Sequence, residues 1–167
     1  QYDVWVACQD DSTPPVPQPT PSGLEVTTAD NTPPSFVGGF PAVQNIAEAT
    51  ADIVVQLTEP GRVWFVVLPA AAPAPAVGDI VDGDVADAVD DGGPVAVAAA
   101  STSVSMQVGG MQASTDYVAY VVAEDSATPP NRQAAAASAA FSTRDLSPPF
   151  FEFDYPRVGN TNDGSTL

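Results

Sequence analysis

The residues best able to do chemistry in this sequence are its carboxylates. Six aspartates lie close together in mid-chain, and the first four are the calcium candidates: Asp79, Asp82, Asp84 and Asp87, followed by Asp90 and Asp91. Calcium takes several such oxygens from one loop, so this spacing indicates a calcium site, although it does not match an EF-hand. A second acidic group combines Asp10, Asp11 and Asp30 with Asp125 and Asp145. The alternative for both groups is a solvated acidic loop in which Asp caps turns.

Catalysis has few tools in this chain. It contains no His and no Lys, which removes the usual general base near neutral pH and excludes Schiff-base chemistry. The single cysteine, Cys8, cannot form a disulfide within the chain or build a structural zinc site. Paired carboxylates could hydrolyse glycosides, but no pattern fixes two of them across a cleft. We therefore expect no enzymatic activity, and no cofactor apart from calcium.

Proline-rich segments offer sites for covalent modification. Residues 12–22 read STPPVPQPTPS, and Thr-Pro-Pro or Ser-Pro-Pro recurs at 32–34, 128–130 and 147–149. Such sequences favour an extended polyproline II spacer with exposed hydroxyls. They resemble extensin-type sequences, which implies O-glycans on hydroxylated prolines. The candidates are Ser12, Thr13, Pro14, Pro15, Pro17, Pro19, Thr20, Pro21, Pro33, Pro34, Pro129, Pro130, Pro148 and Pro149. The alternative is a stiff, unmodified linker.

The charge balance narrows the partners. With 21 Asp and Glu against 4 Lys and Arg, the net charge of −17 repels nucleic acid and anionic membrane surfaces. The longest apolar run is interrupted by Pro69, Pro73 and Pro75 and is too short to span a membrane. No signal peptide is visible, and the chain looks like a mature or internal segment. We expect neither nucleic-acid binding nor membrane insertion.

An internal repeat organises the chain. Residues 2–15 (YDVWVACQDDSTPP) match residues 117–130 (YVAYVVAEDSATPP), and residues 30–45 match residues 145–160 at the same offset of 115. About 15 of the 52 overlapping positions are identical. This period suits a whole β-sandwich domain and is too long for a helical solenoid. We therefore divide the chain into strands F and G of a preceding repeat (1–29), one complete repeat (30–144) and the N-terminal strand of a following repeat (145–167).

Strand patterns dominate the complete repeat. We predict strands at 41–46, 51–58 (strand B), 62–68 (strand C), 94–100, 103–108, 116–123 (strand F) and 137–143 (strand G). The variable part, 69–93, could hold one short helix or only a loop. The fold class predicted is all-β, with tandem immunoglobulin-like or fibronectin type III-like β-sandwiches joined by Pro-rich linkers.

One local pattern is specific to such sandwiches. Residues 108–122 read VGGMQASTDYVAYVV, in which Met111, Thr115 and Tyr117 fill the places of a tyrosine corner. Tyr2 is its copy in the preceding repeat, and the alternative is an ordinary cross-strand tyrosine. Core positions are expected for the other strand aromatics, Trp5, Trp64, Phe65 and Tyr120. Cys8 is expected as a buried free thiol, with a partner cysteine outside this segment as the alternative.

The segment resembles fibronectin type III and related immunoglobulin-like domains. More narrowly, the phrases DNTPPSF, LTEPGRVWFVVLP and YVAYVVAEDSATPP resemble the tandem repeats of green-algal extracellular glycoproteins such as mastigoneme (flagellar hair) subunits. This resemblance implies an extracellular array at the cell or flagellar surface, hydroxyproline-linked glycans and assembly into fibres. It brings no catalytic residues, and the acidic insert at 79–91 departs from a minimal fibronectin domain.

Together these observations favour a structural segment of an extracellular filament or coat that associates with neighbouring copies of itself. The aromatic stretch FFEFDYP, residues 150–156, is expected to dock on a neighbouring subunit. An adhesion or carbohydrate-binding module is the first alternative. A passive spacer in a modular secreted enzyme is the second.

Overall fold

The structure, a computed structural model, describes residues 1–151. Most of the predicted following repeat at 145–167, and most of the aromatic stretch at 150–156, therefore lies outside the described residues. The elements in chain order are β1 (Tyr2–Val6), β2 (Ser22–Val26), β3 (Ala42–Gln44), β4 (Ala51–Val55), β5 (Gly61–Pro69), α1 (Val77–Asp82), β6 (Asp90–Val97), β7 (Val104–Val108), β8 (Asp116–Asp125) and β9 (Ala137–Ser142).

All strand pairs are antiparallel and form three sheets. The first is the hairpin of β1 and β2, the second has the order β3-β4-β7, and the third has the order β6-β5-β8-β9. The second and third sheets pack face to face, which confirms the predicted all-β sandwich. The sandwich consists of β3 to β9, so its fourth strand is β6. In a constant-type immunoglobulin domain the fourth strand pairs with the fifth, whereas here β6 pairs with β5 and not with β7.

The main core lies between these two sheets and consists largely of Val and Ala, as the composition predicts. Its members are Ala51, Ile53, Val55, Leu57, Val63, Phe65, Val67, Val97, Met106, Val108, Met111, Tyr117, Ala119, Val121, Ala123 and Phe141. Small side chains let the sheets approach closely, and the buried apolar area drives their association. Every one of these residues belongs to the range 51–141.

A second core covers the outer face of the four-stranded sheet and explains why β5 is apolar throughout. Val63, Phe65 and Val67 point into the main core, whereas Trp64, Val66 and Leu68 point to the opposite face. There α1 lays Ile80 against them. A strand buried on both faces needs apolar residues at every position rather than at alternate ones.

The variable segment at 69–93 contains the short helix, α1, followed by the first residues of β6. The helix ends at Gly83, which has the left-handed φ of 69° that glycine adopts without strain. β6 begins at Asp90, four residues before the predicted start, because Asp90 and Asp91 already pair with Val67 and Val66. A register shift between Val63 and Phe65 marks a bulge there.

Two predicted strands are shorter in the structure than the sequence patterns indicate. β3 is confined to Ala42–Gln44, and β4 ends at Val55 rather than at Thr58. Beyond β4 the chain leaves β7 and turns towards the N-terminal segment, where Leu57 makes an isolated bridge with Phe36. Leu57 remains fully buried, so its apolar character reflects the core rather than continued pairing.

Candidate functional site

Tyr117 lies at the β7–β8 corner with its ring buried against Phe141, the two ring centroids being 5.9 Å apart. Its hydroxyl accepts a hydrogen bond from the Gln112 N–H at 2.9 Å. A buried tyrosine hydroxyl needs such a partner, and a bond to the backbone a few residues upstream is the geometry of a tyrosine corner. This site ties the corner to β8, which is a structural role.

A charged cluster on the outer face of the sandwich was not anticipated from the sequence. Glu124 is buried and accepts bonds from Arg62 Nε at 2.5 Å and Arg132 Nε at 2.9 Å. Both guanidinium carbons lie over the Trp64 ring, 5.5 and 5.4 Å from its centroid. The two cations neutralise the buried carboxylate and stack on the indole, so the cluster joins β5, β8 and the β8–β9 loop.

The signal for this cluster was present but weak. Arg62 and Arg132 are two of the four basic residues in an acidic chain, and Glu124 directly follows the apolar run of the predicted strand F. Only the antiparallel register, in which Arg62 lies opposite Glu124, shows that the charges meet. Both Glu124 oxygens are occupied by arginine, so this carboxylate is engaged in structure rather than available as an acid or base.

Three carboxylates meet at the end of the sandwich that carries the β4–β5 turn and the β8–β9 loop, which we call the N-terminal pole. Oxygens of Asp30, Glu59 and Asp125 lie within 4.8 Å of one another. Desolvation, with the nearby charges of Asp30 and Asp125, raises the pKa of Glu59. Burial alone would raise the pKa of Asp125, but hydrogen bonds from Asn131 and Ala127 hold it below its usual value.

The two predicted acidic groups therefore have different outcomes. The structure brings Asp30 and Asp125 of the second group together and adds Glu59, which the sequence reading missed. In the described part of the chain it does not gather Asp79, Asp82, Asp84 and Asp87 within ligand distance of one another. They are exposed along α1 and the loop after it, as a solvated surface would be.

Calcium needs six to eight oxygens, and the N-terminal pole supplies few free ones. Asp125 Oδ1 already accepts from Ala127 N–H and Asn131 N–H, at 3.0 and 2.7 Å, and Oδ2 accepts from Asn131 Nδ2 at 2.7 Å. Calcium binding stays a prediction here, and the donor set that the structure offers for it is Asp30, Glu59 and Asp125.

The proline-rich segment at 12–22 is not an extended spacer between domains, and this part of the interpretation was wrong. It forms the loop of the β1–β2 hairpin, closed by Asp10 N–H to Val16 O at 3.1 Å and Gln18 N–H to Cys8 O at 2.7 Å. Backbone pairing across the loop folds the chain back on itself, which an extended polyproline II segment cannot do.

The glycosylation candidates differ in how far they are exposed to solvent. All eight in the β1–β2 loop are exposed: Ser12, Thr13, Pro14, Pro15, Pro17, Pro19, Thr20 and Pro21. Pro129, Pro130, Pro148 and Pro149 are exposed as well, and Pro33 is half-buried. Pro34 is buried and its carbonyl accepts from Gln133 Nε2 at 2.8 Å, so an enzyme has no access to its ring. Pro34 is therefore a poor candidate.

The β1–β2 hairpin and the β8–β9 hairpin share one register at the offset of 115 residues. Tyr2 pairs with Val26 and Tyr117 with Phe141, and the isolated bridge of Gln9 with Pro17 matches that of Glu124 with Arg132. The loops match too: Asp10 Oδ1 accepts from Ser12 N–H and Val16 N–H, as Asp125 Oδ1 does from residues 127 and 131. The same local structure thus occurs twice in the chain.

The two hairpins differ in what covers them. Tyr117, Ala119, Val121 and Ala123 are buried, whereas their counterparts Tyr2, Val4, Val6 and Cys8 are exposed. The expectations of a buried Cys8 and a core Trp5 are therefore not met, whereas the tyrosine corner at Tyr2 stays a prediction. The physical reason is that a two-stranded hairpin has no second sheet to cover its faces. The position equivalent to Gln112 would precede residue 1.

The remaining predicted core aromatics behave as expected, since Trp64 and Phe65 are buried and Tyr120 is partly buried against the second core. The two described residues of the aromatic stretch, Phe150 and Phe151, are exposed. No helix within residues 1–151 has the length and apolar character needed to cross a membrane.

Comparisons with known proteins assign no role to these sites. No protein-family model matches the chain, and no curated protein matches it. Among solved structures, a computationally redesigned β-sandwich protein is similar at 20% sequence identity with a TM-score of 0.38. That similarity covers 72% of this chain and 98% of the redesigned protein.

Proposed function

We propose that this chain is a structural segment of an extracellular, O-glycosylated filament or surface coat built from tandem β-sandwich repeats. The observation that carries the proposal is the recurrence of one hairpin, with the same register and the same loop bonds, 115 residues apart. An F–G-type hairpin followed by a complete sandwich is the arrangement that a tandem array of such domains produces.

The polar sites support a structural role because their hydrogen bonds and ion pairs are made within the domain. The Tyr117 hydroxyl, the Glu124 carboxylate and Asp125 are each satisfied by other groups of the same domain. What the surface offers is a high negative charge and exposed Ser, Thr and Pro. Such a surface keeps a fibre hydrated and can carry glycans.

Self-association has two candidate surfaces. One is the outer face of the β1–β2 hairpin, opposite to the face of Tyr2, where Trp5 is 68% exposed. The other is the aromatic end, where Phe150 is 87% exposed. Exposed contiguous apolar residues and open strand edges mark interaction surfaces.

A carbohydrate-binding module is a second candidate, favoured by the exposed Trp5 beside Asp3 and Glu25 around a surface cavity. An aromatic face flanked by carboxylates can stack on a sugar and accept its hydroxyl hydrogens. The observation is weaker than the repeat, because the equivalent residue, Tyr120, packs against the second core.

Two measurements on the purified protein separate these functions. A structural segment should show saturable self-association in analytical ultracentrifugation and no saturable ligand on a glycan array. A binding module should show the reverse, and a monomer at high concentration would contradict the docking of the aromatic end. For the glycan part, the intact mass of the native protein should exceed that of the bare sequence. A mass equal to the bare sequence ends that part of the proposal.

A further inference from the structure

The first Pro-Pro linker, residues 30–35, is held by the domain that follows it. Asn131 Nδ2 donates to the Asp30 carbonyl at 3.0 Å, and Gln133 Nε2 donates to the Pro34 carbonyl at 2.8 Å. Ser35 N–H donates to Thr58 Oγ1 at 3.0 Å, and Thr58 N–H returns a bond to the Ser35 carbonyl at 2.9 Å. The N-terminal pole thus binds this linker by hydrogen bonds to two carbonyl groups and to the last amide of the linker.

The second Pro-Pro linker, residues 145–149, is held by the domain that precedes it. Glu48, in the β3–β4 loop at the opposite end of the sandwich, accepts from Leu146 N–H and from Ser147 Oγ, both at 2.7 Å. Arg144 N–H, just before this linker, donates to the Ala47 carbonyl at 3.0 Å. This opposite end, the C-terminal pole, therefore grips the first half of the linker through one amide and one hydroxyl.

Both linkers begin with the same hydrogen-bonded turn. Thr32 N–H donates to Asp30 Oδ1 at 3.0 Å, and Ser147 N–H donates to Asp145 Oδ1 at 3.0 Å, which is the same turn 115 residues later. Because the two segments match, the contacts of each can be transferred to the other.

The transferred contacts do not compete for atoms. The preceding domain uses the amide of the second linker residue and the hydroxyl of the third, which are Leu146 and Ser147. The following domain uses the carbonyls of the first and fifth residues, Asp30 and Pro34. Among the described residues, the Asn31 N–H and the Thr32 hydroxyl have no hydrogen-bond partner. Both could therefore donate to the carboxylate of an upstream domain.

We propose that the Asp-x-Ser/Thr-Pro-Pro linker is a joint gripped from both sides by consecutive copies of this domain, which fixes the angle between them. The Glu48 carboxylate of one copy would hold the first half, and Asn131 and Gln133 of the next copy would hold the second half. The proposal rests on the tandem-array function above. Hydrogen bonds from Ser147 and Leu146 lower the pKa of Glu48, which is consistent with a carboxylate that stays charged in its grip. In the sequence, Asp163 stands 115 residues after Glu48, so a carboxylate recurs at that position.

The joint can be tested in the 167-residue chain with a second copy of residues 30–144 inserted after Arg144 and with Cys8→Ser. Gln107 is exposed on β7, so Gln107→Cys in each copy gives one spin label per domain for pulsed electron–electron distance measurement. The expected result is a single narrow distance distribution. Glu48→Ala in the first copy, or Asn131→Ala with Gln133→Ala in the second, should broaden it.

Matched variants separate the grip from general loss of charge or fold. Asp82→Ala removes an exposed carboxylate from α1 and should leave the distribution narrow, and Glu48→Gln, which keeps an acceptor oxygen, should restore part of the order. Hydrogen exchange in the 167-residue chain, without the inserted copy, gives a second readout. In that chain Glu48→Ala should speed exchange of the Leu146 amide by about tenfold or more. Thermal unfolding confirms that each variant folds.

The proposed joint would be overturned by a broad distance distribution in the two-copy chain that carries only the labels. It would also be overturned by a distribution that none of the linker variants changes. That result would leave the tandem-array function standing with flexible linkers. Conversely, a narrow distribution in a protein that is not found at the cell surface would overturn the proposed function and leave the joint intact.

Discussion

At the scale of single residues, the interactions that matter are buried polar groups with one defined partner each. The Tyr117 hydroxyl was predictable, because the spacing of Met111, Thr115 and Tyr117 in the sequence is specific to one corner geometry. The Arg62–Glu124–Arg132 cluster was not predictable, because it depends on strand register and on a loop conformation. The pattern of a sequence reveals which side chains are apolar, but not which charges will meet.

Removal of the Tyr117 hydroxyl should destabilise the domain. Tyr117→Phe removes the acceptor of the Gln112 N–H, so we expect the free energy of unfolding to fall by about 1 kcal/mol. Urea denaturation followed by tryptophan fluorescence measures this change. Tyr120→Phe is the control, since the structure gives its hydroxyl no partner among residues 1–151, and it should change stability little. Equal effects of the two substitutions would argue against the corner.

The raised pKa of Glu59 gives a pH-dependent prediction. The fold disfavours ionised Glu59, because its site is desolvated and lies near the charges of Asp30 and Asp125. A carboxyl whose pKa is higher in the fold costs stability above that pKa and stops doing so once it is protonated. Glu59→Gln should therefore stabilise the domain at neutral pH, and this gain should vanish as the pH falls below the ordinary pKa of a glutamate.

Thermal unfolding at a series of pH values measures this effect. Asp125 should behave in the opposite sense, because its pKa is lowered by Asn131 and Ala127 despite burial. Its contribution to stability is present above its ordinary pKa and is lost as the pH falls through the lowered one. A Glu59→Gln variant that is less stable at neutral pH would contradict the repulsion among the three carboxylates.

Among the secondary-structure elements, the sequence patterns predicted which segments form strands along the chain. They predicted the ends of those strands less well. Continuous apolar residues placed 62–68 in a central strand, and β5 lies there with both faces covered. The sequence could not distinguish the helix α1 from a loop, because a six-residue segment with two aspartates has little periodicity. The β1–β2 loop was misread as a spacer because proline content alone does not show whether a segment folds back.

The close approach of β5 to β8 makes a prediction about one glycine. A Cβ on Gly61 would overlap the Glu124 carbonyl oxygen of the neighbouring strand. We expect Gly61→Ala to push the strands apart and to cost about 1–3 kcal/mol of stability. Gly78→Ala is the matched control, because a Cβ there meets nothing within 4 Å and alanine favours a helix. Chemical denaturation of both variants should give opposite signs, and a neutral Gly61→Ala would contradict the described strand spacing.

At the scale of the whole molecule, the chain contains one sandwich and a second copy of its last hairpin. The 115-residue period was readable because Tyr2/Tyr117 and Asp10/Asp125 kept register through a loop of unlike residues. The exposure of the first hairpin was not foreseen, because local patterns indicate which face is apolar but not whether anything covers it.

The thiol of Cys8 reports whether the first hairpin belongs to a sandwich. It is exposed in this chain, and its counterpart Ala123 is fully buried. Cys8 should therefore react with a thiol reagent about as fast as an unfolded thiol. In a chain in which residues 30–115 are placed directly before Gln1, the hairpin should complete a domain, and the reaction should slow by orders of magnitude. Unchanged reactivity in a folded variant would refute the repeat boundaries.

The central claim is that this domain is a structural unit of an extracellular filament or coat. Immuno-electron microscopy of intact, unpermeabilised source cells, with antibodies raised against residues 30–144, tests it most directly. We expect label in regular rows along surface filaments or a coat. Label confined to the cell interior, or scattered on soluble particles without order, would contradict it.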